Sequence, residues 1–385
     1  MIAYNRQSLD NLEIQQQANE ALEKGLLTTE EIDRIRKAYP IRFYLPNSFI
    51  GAGLFLLTVL ATVCAFGLFL LFGLDEADHH FGMILILFGV IGYGALELFI
   101  RHRKMYRAGV DDALLWMAGL SVTLGVYSGL GHPSPTLLSL TVLLLAAGGV
   151  LRYTDRLMAL VAYGALLSLL FYTVTGWGAV ARALLPFMTM AVSIGLYLVF
   201  TRWITHDRLR HYHSSLVLLR AATLLSFYLG GNYYIIRELN AAISEHPGPV
   251  ALGWLWWLLT GMVPILYIAR GIQKKDVVFL WTGMALVAAT VFTVRYYYHL
   301  LPAELAMIIA GCVLIAGVYG LTRYLRTPKH GFTSAAPDYP HALADLPMEG
   351  MILAESFTSV AAQPADPGVR FGGGTTGGGG AGGNY

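Results

Sequence analysis

The stretch FIGAGLFLLTVLATVCAFGLFLLF, residues 49–72, runs for 24 positions without a charged side chain. A helix of about 20 apolar residues crosses the hydrocarbon core of a bilayer, so this stretch predicts a transmembrane helix. Further apolar runs follow as far as Leu321, separated by short polar segments. Together they predict an all-α fold, a polytopic transmembrane helix bundle over residues 48–323. Its ten predicted spans are 49–72, 81–100, 113–130, 137–151, 157–175, 183–200, 214–231, 250–269, 277–294 and 305–322.

The composition of the whole chain agrees with a membrane protein. Charged residues make up 13% of the 385 residues and hydrophobic residues 56%, with a mean hydropathy of +0.57. A soluble domain carries about 25% charged residues, so this chain has too little polar surface to cover a water-soluble globule. Lipid must therefore solvate part of it, and the lipid bilayer is its first predicted partner.

A polar segment, residues 1–47, precedes the first span and predicts two short helices. Thr28 with Glu31 forms a capping-box pattern that begins the second helix, and Pro40 ends it. Helical hairpins occur in DNA-binding proteins, but this one carries six basic against seven acidic side chains. A phosphate-binding surface needs a basic excess, so no nucleic-acid partner is predicted.

The run ALEKGLLTTEEIDRIRKAYP, residues 21–40, stands directly before a glycine-containing span. It resembles the start of a family of uncharacterised bacterial polytopic membrane proteins, which place a short cytoplasmic hairpin with a "KGL…EE…I" pattern before the bundle. The resemblance implies the architecture, a hairpin followed by a bundle. It implies no activity.

The distribution of lysine and arginine predicts the orientation. With the N-terminus inside, nineteen basic residues fall on one face and three, Arg182, Arg237 and Arg295, on the other. Basic residues are retained on the cytoplasmic side, so both termini are predicted to be cytoplasmic. The family resemblance implies that the membrane is the inner membrane of a bacterium. The nineteen are Arg34, Arg36, Lys37, Arg42, Arg101, Arg103, Lys104, Arg107, Arg152, Arg156, Arg202, Arg208, Arg210, Arg270, Lys274, Lys275, Arg323, Arg326 and Lys329.

Small residues mark expected helix contacts inside the bundle. Ser121, Gly125 and Gly129 recur at four-residue intervals in the third span. Helices in membranes approach closely where such residues line up, so this face of the span is predicted to pack against a neighbour.

Two ionisable side chains inside the spans are the candidate site. Arg220 lies about two turns into the seventh span, and Glu97 lies one turn from the end of the second. Charges in the hydrocarbon core are costly, and both are predicted to occupy the inner half of the membrane, so they could form a structural or substrate-contacting ion pair. The alternative is that Arg220 extends to the interface while Glu97 pairs with Arg101, four residues on.

Other chemistry is weakly represented. Cys64 and Cys312 lie in separate apolar runs, and the sequence has no metal-ligand spacing and no motif typical of a nucleotide-binding loop, zinc protease or serine hydrolase. The loop DEADHH, residues 75–80, contains groups that can bind a divalent cation, but a solvated loop is the favoured interpretation. We therefore expect no metal, no cofactor and no enzymatic activity.

The last segment, 324–385, ends in FGGGTTGGGGAGGNY, with nine glycines in fifteen positions. Ordering such a sequence is costly in backbone entropy, so a disordered cytoplasmic tail is predicted. The preferred function is a non-enzymatic scaffold or sensor that contacts protein partners through the hairpin and the tail. The alternative is a transporter of a small apolar or aromatic solute, and the oligomeric state is left open.

Overall fold

The computed structural model describes residues 2–23, 25–71, 77–131, 133–243 and 252–298, with a few isolated positions between 308 and 323. Across these residues the chain forms α-helices and one short 3-10 helix, Asp207–Tyr212, and no strand element. The helices are α1 Arg6–Glu23, α2 Thr29–Ala38, α3 Ser48–Leu71, α4 Ala77–Arg103, α5 Val110–Gly129, α6 Pro135–Tyr153, α7 Arg156–Thr175, α8 Ala179–Ile204, α9 His213–Gly231, α10 Tyr233–Ile243, α11 Gly253–Lys274 and α12 Val277–Tyr298.

Nine of these described helices, α3 to α9 with α11 and α12, are long and apolar enough to cross a membrane. The predicted all-α bundle is thereby confirmed, and the chain is a multi-pass membrane protein. The tenth predicted span, 305–322, lies largely outside the described residues, and so does the tail 324–385. Of the DEADHH loop, residues 77–80 form the first turn of α4, and the side chains of all six residues lie outside the described part.

The α1–α2 hairpin forms as the sequence predicts. Glu31 N donates to Thr28 Oγ1, and Thr28 N donates to Glu31 Oε2 at 2.8 Å, which completes the capping box. This second hydrogen bond lowers the pKa of the Glu31 carboxyl. Two side chains of α1 reach the end of α2, where Asn11 and Gln15 donate to the carbonyls of Pro40 and Tyr39. The two helices therefore form one unit.

The spans pack most extensively as four consecutive pairs, α4 with α5, α6 with α7, α8 with α9, and α11 with α12. All four pairs are joined at the end of the bundle where the hairpin lies, and we call this end the basic end. It comprises the hairpin and the connecting segments 104–109, 154–155, 205–212 and 275–276. Many of the nineteen basic residues of the predicted cytoplasmic face lie here.

Two of the connections at the basic end share one design. Thr154 and Lys275 end α6 and α11 in the left-handed conformation, with φ of 55° and 53°. An aspartate follows each: Asp155 Oδ1 accepts from Met158 N at 2.6 Å, and Asp276 Oδ1 accepts from Val278 N at 3.0 Å. Each two-residue turn thus ends one helix and caps the next.

The α4–α5 pair is held by close backbone contact. A Cβ atom added at Gly82 would lie 2.4 Å from Gly129 Cα, and one added at Gly125 would lie 2.7 Å from the Gly82 carbonyl oxygen. The small-residue face of the third span therefore packs against a neighbour, as predicted. In contrast, α3 has no buried residue and packs against the bundle chiefly along α5.

We expect Gly125→Ala to destabilise the protein by about 1–3 kcal/mol, because the new methyl group would push α4 away from α5. Unfolding followed in mixed detergent micelles measures the change. The matched control is Gly119→Ala in the same helix, where the nearest atom to the added Cβ is Met158 Cε at 3.9 Å. Equal stability of the two variants would contradict this account of the interface.

Candidate functional site

The structure does not bring the predicted pair together. Arg220 Nη2 donates to Asp276 Oδ1 at 2.6 Å, whereas Glu97 Oε1 accepts from Arg152 Nε at 2.5 Å. The predicted Arg220–Glu97 ion pair is therefore wrong. The reason is that each group finds an opposite charge on a helix adjoining its own, Arg220 at the start of α12 and Glu97 at the end of α6.

The alternative prediction for Glu97, that it pairs with Arg101, is confirmed in part. Arg101 Nε lies 3.4 Å from Glu97 Oε2, at the predicted four-residue spacing. However, Arg152 is closer, and the Tyr153 hydroxyl also donates to Glu97 Oε1 at 2.8 Å. Glu97 therefore joins the ends of α4 and α6 in addition to bonding within α4.

The Arg220–Asp276 pair connects α9 to the turn between α11 and α12. Its side chains are 14% and 18% exposed, so both charges are largely removed from solvent. The same Asp276 oxygen caps α12 through Val278 N. One carboxylate thus neutralises a membrane arginine and fixes the start of a span.

Further along α9, the buried side chain of Ser226 faces two neighbouring helices. Ser226 Oγ is hydrogen-bonded to the Tyr163 hydroxyl of α7, and it lies 2.8 Å from Ser193 Oγ of α8. Ser193 in turn donates to the carbonyl of Thr189 in its own helix. Three helices therefore meet at Ser226.

At the opposite end of α9, Asn232 uses the full hydrogen-bonding capacity of its amide. The amide nitrogen donates to the Tyr228 hydroxyl at 2.9 Å and to Thr293 Oγ1 at 3.1 Å. The amide oxygen accepts from Tyr234 N at 2.9 Å and from Ile235 N at 3.3 Å, which caps α10. Asn232 thus connects α9, α10 and α12.

The same network continues into α11. The hydroxyls of Tyr228 and Thr290 lie 2.9 Å apart, and Thr290 Oγ1 lies 2.9 Å from the carbonyl of Thr260. The Thr260 hydroxyl accepts from Tyr233 N at 3.0 Å and donates to the carbonyl of Trp256. We call Arg220, Ser226, Tyr228 and Asn232 the polar spine of α9. Its partners on other helices lie on α7, α8, α10 and α12, and Asp276 lies in the turn before α12.

The hydrogen bonds of the spine are made to protein groups, and the buried Arg220 Nε has no hydrogen-bond partner among the described residues. Three of the grooves formed by described residues have volumes of about 450, 510 and 460 Å³. Within the described residues, none of the three is lined by a member of the spine. The first lies between α1 and the segment 207–212, the second between α4 and α6, and the third is an apolar groove along α3, α4 and α5. The arrangement of the spine suits the positioning of helices.

A second polar cluster fastens the hairpin to the basic end. The Tyr4 hydroxyl donates to Asp111 Oδ2 at 3.2 Å, and both side chains are buried. Burial, reinforced by the charges of Asp111 and Asp112, raises the pKa of Tyr4. Asp111 also accepts from the backbone N–H groups of Arg107 and Ala108, each at 2.8 Å. This carboxylate therefore shapes the α4–α5 connection and binds the N-terminal segment.

Three further contacts hold the hairpin in place. Ala3 N donates to the carbonyl of Arg152 at 2.8 Å, and Tyr44 N donates to the carbonyl of Lys104 at 3.1 Å. On α1, Asp10 forms a salt bridge of 2.5 Å with Arg210. The hairpin and its flanking residues thus contact the end of α6 and the connections 104–109 and 205–212 at once.

Two carboxylates near the Tyr4–Asp111 contact, Asp111 and Asp155, accept hydrogen bonds from backbone N–H groups. Asp155 caps α7, and burial raises the pKa of its carboxyl group. Within the described residues no group of three histidine, cysteine, aspartate or glutamate side chains is arranged to hold a metal ion.

No matching family, curated protein or solved structure emerges when the chain is compared with protein-family models, curated proteins and solved structures.

A double-mutant cycle tests the Arg220–Asp276 pair. We expect Arg220→Met and Asp276→Asn each to lower the free energy of unfolding by about 3–5 kcal/mol, because either change leaves a buried charge without its partner. Asparagine keeps an oxygen for Val278 N, so capping is retained. The double variant should lose less than the sum, with a coupling of about 0.5–3 kcal/mol.

The control cycle combines Arg220→Met with Glu97→Gln. These side chains have separate partners, so their effects should add within about 0.5 kcal/mol. Coupling in this second cycle, or its absence in the first, would contradict the observed pairing.

Proposed function

We propose that this protein is a non-enzymatic scaffold or sensor of the bacterial inner membrane. Its docking element is the α1–α2 hairpin, held on the cytoplasmic side, and the C-terminal tail adds a second contact for protein partners. The observation that carries the proposal is that residues 3–44 contact three regions of the basic end, through the buried Tyr4–Asp111 pair above all. A tethered appendage would need no such anchoring.

The interior of the bundle also supports a scaffold or sensor over a transporter. A transporter of a small solute needs a cavity near the midplane with polar groups open to the solute. In the described bundle, the polar side chains of α9 bond to neighbouring helices, and the three grooves lie away from them. The arrangement supports a fixed platform for the hairpin.

The hairpin also offers a surface that a partner can recognise. Leu26, in the turn between α1 and α2, is apolar and 74% exposed. The adjoining helix α2 exposes side chains of both signs, including Glu30, Arg34 and Lys37. An apolar contact surrounded by charged groups is typical of the centre and rim of a protein interface.

Orientation is the first part of the proposal to test. Cys64 and Cys312 are replaced by alanine, and single cysteines are introduced as Trp177→Cys, between α7 and α8, and His206→Cys, between α8 and α9. Intact spheroplasts are then treated with a membrane-impermeant maleimide. The distribution of basic residues predicts that segment 205–212 is cytoplasmic, so position 177 should react in intact spheroplasts and position 206 after lysis alone. The reverse pattern would contradict the assigned orientation.

Docking is tested with the full chain in its bacterial host. Leu26→Asp places a charge at the exposed tip of the hairpin, and we expect proteins cross-linked to the hairpin to fall by about fivefold or more. The matched control, Gln16→Glu, also adds a negative charge at an exposed position of the hairpin. Enrichment of cross-linked proteins is measured by quantitative mass spectrometry.

Two results would overturn the docking role. One is equal cross-linking by the wild-type chain, the Leu26 variant and the control. The other is a rise in melting temperature caused by an apolar or aromatic solute and abolished by Arg220→Met, because that result indicates a solute site inside the bundle.

A further inference from the structure

We infer that the groove between α4 and α6 is a binding site for one anionic glycerophospholipid, with the phosphate at its charged end and an acyl chain along its apolar end. The groove has a volume of about 510 Å³ and opens on the side of the bundle. Its charged end is formed by Glu97, Arg101 and Arg152.

The charges of the groove match a phosphodiester. Arg152 and Arg101 lie on either side of the Glu97 carboxylate, at 2.5 and 3.4 Å. Two guanidinium groups and one carboxylate leave one net positive charge. Arg101 is 69% exposed and Arg152 41% exposed, so each retains N–H donors that an incoming phosphate can reach.

The lining of the groove changes from charged to apolar along its length, as the polarity of a lipid molecule changes from headgroup to acyl chain. The arginines lie at the ends of α4 and α6, at the basic end of the bundle. Towards the middle of the helices, the lining changes to Leu144, Leu145 and Gly148 of α6, facing Gly94 of α4. A headgroup with its acyl chain would follow this sequence from charged to apolar.

The glycines of the groove leave space where the glycines of the α4–α5 interface do not. A Cβ atom added at Gly94 or Gly148 would find no heavy atom within 4 Å. Close helix contact therefore does not explain these two glycines, whereas it does explain Gly82 and Gly125. Their lack of side chains widens the space between the two helices, and an acyl chain would fill it.

Binding is measured by native mass spectrometry of the purified full chain in detergent, titrated with dioleoyl phosphatidylglycerol. We expect one bound lipid at saturation. Dioleoyl phosphatidylcholine, which carries no net charge, and soluble glycerol 3-phosphate, which has the phosphate without the acyl chains, should bind at least about fivefold more weakly. Equal binding of the zwitterionic lipid, or tight binding of the soluble phosphate, would overturn the assignment.

Two substitutions probe the two ends of the groove separately. Gly148→Leu occupies the apolar end and should weaken binding of phosphatidylglycerol by about tenfold, as expected for roughly two displaced methylene groups. Arg101→Gln removes the more exposed of the two arginines and should weaken it by about fivefold. The matched control is Gly164→Leu on α7, whose added side chain also meets open space but lies outside the groove.

The control variant should bind the lipid as the wild type does, and melting curves show whether each variant is folded. Unchanged affinity in folded Gly148→Leu protein would overturn the proposed acyl-chain position. If Gly148→Leu does not fold, Gly94→Leu tests the same space from the opposite wall. These outcomes are independent of partner docking by the hairpin, since Leu26 is not part of the groove.

Discussion

A polar group in the hydrocarbon core has no water to bond, and this constraint governs the packing around α9. Arg220, Ser226 and Asn232 are unfavourable on a helix that stands alone in lipid. They are stable here because Asp276, Tyr163 with Ser193, and Thr293 lie within hydrogen-bonding distance on other helices. Because these groups need hydrogen-bond partners, α9 packs against the elements that supply them. The second half of the bundle is assembled around α9.

The opposite situation holds in the first half, where α4 and α5 meet through backbone and apolar atoms. At Gly82 and Gly125 the two helices approach so closely that no side chain fits between them. Membrane helices gain little from the hydrophobic effect against lipid, so van der Waals contact over such a face is a main source of association. The two halves thus illustrate two physical routes to helix pairing within one chain.

Much of this fold could be predicted from the sequence, because the length of an apolar run indicates whether a helix can cross a bilayer. The predicted spans 49–72 to 277–294 correspond to nine helices, and the Thr28–Glu31 capping box formed as expected. Partners were harder to predict. Asp276 follows two lysines, and nothing in that run separates it from a solvated turn. The hydroxyls of the network resemble those of Thr58 or Thr141, which bond to their own helices. The short helix α10 was missed as well, although Asn232 before it is a typical cap.

In each closely packed pair, the two helices are connected at the basic end. This arrangement decides where the polypeptide can be divided without separating a pair. The segments at the opposite end, such as 176–178 between α7 and α8, link neighbouring pairs and lie within none of them. A polypeptide divided there would keep every pair intact in one of its two pieces. Such pieces would be suited to separate synthesis and reassembly in the bilayer, and the same positions are where an extra pair of helices could be inserted without dividing an existing one.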